Sequence, residues 1–347
     1  MTHPSRPGRP GASPLRRLTP RTLSLLAAGA ALTLAATACS SSGDGSGGAS
    51  LQTITVGVSG ATGNTAPIFV GVDGGTFKKY GLNVEVKVLT PTASSAAVGS
   101  GTVDIGGDGP NMVASVLASK SGAKVIFTNG ITAFYLATQP SITSIAQLKG
   151  KTLATTTPGG GADSAVRAAL IANHLTPGKD VKIVYLSQNS AALASLGTGK
   201  VQAAVVSPPT TIQAVNQFHL KTMDIGDYVL PSVYAVSGGF AAKHPDLVTK
   251  FIQGYMAATQ LAKTDKAASE AAFKKYLGIK DQAQLDGTWE QYRDRWAASP
   301  FPTEYLKELL ASLSPPSTAD PATLMNNSYV NKIEQSQWVV PSGFPTS

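Results

Sequence analysis

The sequence predicts an α/β protein built as two lobes with a helical C-terminal extension. Three observations carry that expectation. From residue 53 short β-branched runs alternate with runs of helical periodicity, the alternation pauses and restarts near residue 144, and beyond Pro245 helical patterning is almost continuous. Alternating strand and helix is the pattern of a mostly parallel sheet with helices on both faces. At 347 residues, 42% hydrophobic and 14% charged, the chain has enough length and apolar content for one large domain or two ordinary ones.

The pattern begins only after an N-terminal segment of different character. Residues 1–38 hold Arg6, Arg9, Arg16, Arg17 and Arg21, no acid, and the apolar run LSLLAAGAALTLAA at 23–36. A basic start, an apolar core shorter than the roughly 20 residues of a membrane span, and small residues behind it have the layout of an export signal. Ala36-Thr37-Ala38-Cys39 follows and resembles a bacterial lipobox, with Ala36 where Leu is usual. The resemblance implies cleavage before Cys39, lipidation of its thiol, and a Gly/Ser tether over 39–50 that holds the protein on the extracytoplasmic face of the cell membrane. Cys39 is the only cysteine, so the mature chain is expected to have no disulfide and no cysteine metal site. Without those five arginines the formal charge of +8 falls to +3, too little for a nucleic-acid footprint.

The elements then follow in order. Residues 53–58 (TITVGV) read as a strand, 65–79 as a helix stopped near Gly81, and 83–89 (NVEVKVL) as a second strand. A small-residue helix over 92–100, a short strand over 103–106, a helix over 111–121 and a strand over 124–128 complete the first run. The second run has a short helix at 144–149 and strands at 152–156, 181–186, 201–206 and 220–225. Helices at 162–174, 190–197 and 210–218 separate those strands. Helices over 246–263, 266–276, 282–296 and 303–313 form the extension.

Chemistry concentrates where strands hand over to helices. Four such junctions are SGATGNTAP at 59–67, GGDGPN at 106–111, TTTPGGGADS at 155–164 and SPPT at 207–210. In an open α/β sheet, ligands bind beyond the carboxyl ends of the strands. The N–H groups of a helix's first turn point there and favour a polar or anionic group. The candidate ligand-binding residues are therefore Ser59, Asn64 and Thr65 of the first junction, Asp108, Gly109 and Asn111 of the second, Gly160, Asp163 and Ser164 of the third, and Ser207 of the fourth. Thr132, just past the strand at 124–128, joins them, and Tyr234 is a candidate to stack on a ring, as are Phe134, Tyr135 and Tyr185. Each of these residues also has an ordinary role open to it, as a helix cap or in the core.

Several segments resemble one family, the type II periplasmic binding proteins of the SsuA/TauA/ThiY kind, related to the NMT1/THI5 proteins. They are PIFVGVDGGTFKKYGL at 67–82, GSGTVDIG at 99–106, SIAQLKGKTLA at 144–154, with Gln147 in place of the usual acid, and AKHPDLV at 242–248. The resemblance implies a chain that crosses between lobes twice, near 134–138 and 233–237, through a hinge. Lobe one is then 51–136 with 236–347, and lobe two is 137–235. It implies a monomeric solute-binding lipoprotein whose lobes close on a small molecule and present it to an ABC import permease.

The competing class is an enzyme, since some NMT1/THI5-like proteins make the thiamine pyrimidine with iron, histidines and a cysteine-rich motif. Here His174, His219 and His244 stand far apart, and neither a metal-ligand spacing nor a cofactor motif is present. The sequence therefore predicts a binder without metal or cofactor. A surface lipoprotein with no ligand would leave the polar junctions unused. Asp108 and Asp163 are the only charges in the four junctions. If they reach the ligand, they favour a pyrimidine, an amine or a riboflavin-like ring. The family's sulfonate and nitrate branch predicts an anion held by helix ends.

Overall fold

The structure, a computed structural model, describes residues 50–335 apart from 110, 120, 187 and 313–315. The side chains of Asp108, Asn111, Ser312, Glu334 and Gln335 lie outside the description, as do the expected signal, most of the tether and Cys39.

The first run forms strands β1 (Gln52–Val58), β2 (Leu82–Val88), β3 (Ile105–Asp108) and β4 (Lys124–Gly130). Its helices are α1 (Ala66–Asp73), α2 (Thr76–Lys79), α3 (Pro91–Ser100) and α4 (Asn111–Ala118). The helix expected over 65–79 is thus two, because Gly75 takes a left-handed φ of 68° between them. The second run forms β5 (Tyr135–Thr138), β6 (Thr152–Thr155), β7 (Lys182–Tyr185), β8 (Ala203–Val206) and β9 (Lys221–Asp224). Its helices are α5 (Gly161–Ala172), α6 (Asn189–Gly197) and α7 (Thr210–Asn216). The chain ends with β10 (Ser232–Val236), α8 (Gly238–Lys243), α9 (Pro245–Thr264), α10 (Lys266–Ala272), α11 (Gln282–Tyr292), β11 (Trp296–Ser299), α12 (Thr303–Ser312) and α13 (Ser328–Gln335).

Two sheets result. The first has the order β11-β4-β10-β3-β1-β2 and the second β7-β6-β8-β5-β9. β1 lies parallel to β2 and β3, and β6 parallel to β7 and β8, as βαβ units require. The mostly parallel arrangement needs a correction. β10 runs antiparallel between β3 and β4, and β5 runs antiparallel between β8 and β9. Each sheet therefore takes a central strand from a segment that has just crossed between them. The chain crosses over 131–134 and again over 225–231. The segments expected as crossings, 134–138 and 233–237, are mostly strand: Tyr135 and Leu136 pair in the second sheet, and Ser232–Val236 in the first. No helix separates these strands from the crossing, so the alternation of strand and helix does not announce them.

Packing follows the strand alternation. Tyr234 and Val236 of β10 face α9 with Phe127, Phe251 and Tyr255, while Val233 and Ala235 face the opposite layer with Val113, Leu306 and Leu310. In the second sheet, α5 buries Ala162, Ala165, Val166, Ala169 and Leu170 at helical spacing against Leu153 and Val205. α6 and α7 cover the other face through Leu193, Leu196 and Ala214.

The helix expected over 282–296 stops at Tyr292, and Trp296 opens the edge strand β11 instead. Trp296 pairs with Gly130 of β4 and donates its indole N–H to the carbonyl of Gly63 at 2.8 Å. Gly130 permits this approach: its φ is 98°, and a Cβ there would fall 1.9 Å from the carbonyl oxygen of Arg295.

Candidate functional site

A cleft of about 640 Å³ opens between the two sheets. Its walls come from the residues just beyond strand carboxyl ends. Ser59 follows β1, Pro91 follows β2, Gly109 follows β3, and Thr132 follows β4. Thr156, Gln188 and Ser207 follow β6, β7 and β8. The same residues stand at helix starts: Pro91, Gly161 and Asn189 open α3, α5 and α6, and Asn64 and Thr65 form the 3-10 turn that enters α1. First-turn N–H groups and the positive ends of several helix dipoles thus converge on one space.

Hydroxyls and amides supply the side-chain polarity, and no charged side chain lines the cleft among the described residues. Several of these groups hold one another. Asn64 Nδ2 donates to Ser232 Oγ at 3.0 Å, and Asn189 Nδ2 donates to Ser207 Oγ at 2.7 Å. Thr65 Oγ1 donates to the Gly60 carbonyl at 2.9 Å and accepts from the Thr62 N–H at 3.0 Å, which fixes the first loop. Tyr292 and Phe134 add aromatic surface. The ring of Tyr292 lies against Gly63, where a Cβ would come within 2.2 Å of it. Burial pushes the Tyr292 phenol well above its ordinary pKa, so it stays neutral.

The structure brings Ser59, Asn64, Thr65, Gly109, Thr132 and Ser207 of the expected set to the cleft. Gly160 is the N-cap of α5, and its neighbour Gly161 forms the wall instead. Asp163 corrects the expectation of a ligand-facing carboxylate. It is buried, accepts from the Gly159 N–H at 2.9 Å, from Arg167 Nε at 2.9 and 3.0 Å and from the Tyr185 hydroxyl at 3.3 Å. The helical turn carries Ser164 away from the cleft as well, toward a separate cavity beside α5. Tyr234 cannot stack on a solute: it is fully buried in the first sheet, 4.8 Å from Phe127 with the rings nearly parallel. Asp108 ends β3 opposite Val233, but its side chain and that of Asn111 lie outside the described residues.

Sequence reasoning passed over two further junctions, one where β2 hands over to α3 at Pro91 and one between β7 and α6. Gln188 and Asn189 stand at the second of these, and the same rule that selected the other four applies to both junctions. Ser232, Val229 and Leu230 line the cleft from the returning segment, and Tyr292 reaches it from the C-terminal extension. Local pattern gives no signal for those four. Among the described residues, no group of three or more His, Cys, Asp or Glu side chains is placed to hold a metal.

Comparison with solved structures returns the same architecture. The periplasmic aliphatic sulphonate binding protein SsuA from Escherichia coli aligns with a TM-score of 0.68 at 18% identity, over 81% of this chain and 100% of its own. The periplasmic nitrate-binding protein NrtA from Synechocystis PCC 6803 aligns with a TM-score of 0.67 at 15% identity, over 86% of this chain and 92% of its own. A DSZB mutant in complex with biphenyl-2-sulfinic acid aligns with a TM-score of 0.62 at 15% identity, over 82% of this chain and 99% of its own. At these identities the likeness is one of fold. No curated protein matches the chain by sequence. The family model described as NMT1/THI5 like matches residues 62–268, more than half of the chain, and the chain belongs to that family.

Proposed function

We propose that this protein is the solute-binding component of an ABC importer, tethered outside the membrane through Cys39, and that it clamps a small oxyanion between its two lobes for delivery to a permease. One observation carries the reading: helix starts from both sheets converge on a cleft of about 640 Å³ lined by hydroxyls, amides and backbone, with no charge among its described residues. Such a site compensates an anion with N–H and O–H donors and leaves its affinity independent of a lysine or arginine. A cleft of this size encloses a small molecule.

The choice among solutes narrows through Asp163. A pyrimidine, an amine or a riboflavin-like ring was expected if Asp108 and Asp163 faced the ligand; Asp163 is engaged by Gly159, Arg167 and Tyr185 instead, and the side chain of Asp108 lies outside the described residues. The names of the structural neighbours point the same way, to a sulphonate, a nitrate and a sulfinic acid. No cysteine or histidine lines the cleft among the described residues, which supports capture rather than chemistry. Among the described residues no helix is long and apolar enough to cross a membrane; the proposed lipid attachment rests on the Ala36-Thr37-Ala38-Cys39 motif and the Gly/Ser stretch behind it. The test is mass spectrometry of solute released by denaturing gently purified protein. An equimolar sulfonate, nitrate or related oxyanion is expected; an equimolar cation or uncharged heterocycle would refute the oxyanion reading.

A further inference from the structure

The two crossings are part of the cleft. Thr132 and Phe134 on the first, and Val229 and Leu230 on the second, line its wall. A group that fixes both segments therefore acts on the cleft and on the path between the halves at once. Arg295 touches both. Its carbonyl accepts the Ile131 N–H at 3.3 Å, where the first crossing leaves β4. Its guanidinium lies 5.6 Å from the centroid of the Tyr135 ring, where that crossing enters β5, with Nη2 3.5 Å from the Tyr135 hydroxyl. The same guanidinium pairs with Asp224, the register partner of Tyr135, where the second crossing leaves β9. Asp224 also accepts the Gly226 N–H at 2.7 Å, and the Ile225 N–H donates to the Phe134 carbonyl at 3.2 Å, which ties the two crossings together beside the guanidinium. Gly226 leaves room for it: a Cβ there would fall 2.6 Å from Arg295 Nη1.

Arg295 is mounted on one half and grips the other. Its N–H donates to the Tyr292 carbonyl at 2.8 Å, its own carbonyl packs against Gly130, and Trp296 behind it pairs with β4, so its backbone moves with the first sheet. Tyr135 and Asp224 belong to the second sheet. The Arg295 side chain is 15% exposed and that of Asp224 48%, so water screens the pair only in part, and the planar guanidinium fixes its direction. We propose that Arg295 is the pivot that sets the orientation of the two halves, and that it tunes solute affinity without touching solute. It is a positioning residue, acting through Thr132, Phe134, Val229 and Leu230. The inference rests on the halves moving against each other around the solute.

The test is pulsed electron spin resonance on the full-length protein in detergent, with spin labels at Lys200→Cys in the second half and Asp246→Cys in the first, both exposed positions. Arg295→Gln keeps much of the stem and loses the charge. Without solute, its distance distribution should be broader than that of wild type. Methanesulfonate, as the probe, should bind the variant roughly two- to tenfold more weakly, because a smaller share of the molecules holds the competent orientation. At saturation the distribution should return to that of the wild-type complex. Adding Asp224→Asn to Arg295→Gln should bring no further broadening, since the two groups act as one pair. Lys275→Gln removes a pair with Asp73 inside the first half and should alter neither reading. A purely structural role would lower the melting temperature of Arg295→Gln and leave its unliganded distribution as in wild type; that result would overturn the pivot. A wild-type distance unmoved by bound methanesulfonate would overturn the clamp, and failure of methanesulfonate to bind would overturn the oxyanion reading. In either case the unliganded distributions decide the pivot by themselves.

Discussion

Asp163 and Arg167 place a charge in the first turn of a cleft-lining helix without presenting it to the cleft. The carboxylate of Asp163 is almost wholly buried, and Arg167, four residues on, neutralises it while also donating to the Tyr185 hydroxyl. The pair holds Gly159, next to the wall formed by Gly161, so its role is to position the loop. Asp163→Asn is expected to cost about 1–3 kcal/mol of stability, because a charge-assisted bond is lost at a buried site. Affinity should change far less than stability, which thermal melts and titration of the same variant would separate. Tyr234→Phe should leave affinity unaltered and move stability by no more than about 1 kcal/mol, since that ring belongs to the core. Asn189→Ala should weaken solute binding roughly two- to tenfold, through the lost amide and the released Ser207 hydroxyl. Affinity for a strong-acid anion should be flat between about pH 6 and 9, because the only titratable side chain among the described lining residues is the Tyr292 phenol, which burial holds protonated. A slope in that range by calorimetry would reveal a charged contact.

At the scale of elements, α11 and β11 connect the halves behind the cleft. Thr211 of α7 donates to Gln291 of α11 at 2.7 Å, and Arg295, just ahead of β11, pairs with Asp224 at the end of β9. β11 itself depends on Gly130. Gly130→Ala would drive a Cβ into the backbone of Arg295 at a positive φ, and a loss of several kcal/mol is expected by thermal melting, with β11 detached from β4. These elements also mark where sequence reasoning worked and where it failed. α5 was legible because Ala162, Ala165, Val166, Ala169 and Leu170 repeat at helical spacing, and β1 because β-branched residues fill it. β5 and β10 were not, since each is a short strand placed by a partner far along the chain rather than by a neighbouring helix. β11 was missed for the same reason, with Trp296 read as the end of a helix and 297–299 assigned to no element: its pairing with β4 is a tertiary event. The cleft residues at strand ends were legible through one rule, and Tyr292 was not, because α11 delivers it from the extension.

For the whole molecule, the strand order 2-1-3-n-4 occurs in both sheets, with the inserted strand coming each time from a crossing segment. Two segments, 131–134 and 225–231, carry the chain between halves, and a hinge needs only a few such residues. Closure of the halves on solute should shrink the radius of gyration measured by small-angle scattering. An unchanged radius at saturation would argue for a rigid cleft. The tether is a separate matter. Cys39→Ala should move the protein into the aqueous phase of a detergent partition, and retention with membranes at the wild-type level would remove the lipid from the account.

The most direct test of the central claim is a calorimetric titration of the full-length protein with the solute recovered from it, beside a Ser207→Trp variant that fills the cleft between the second sheet and α6. Wild type should bind one equivalent and the variant should lose at least about a hundredfold in affinity while retaining its melting temperature within a few degrees. Undiminished binding in the variant would place the solute elsewhere and contradict the account.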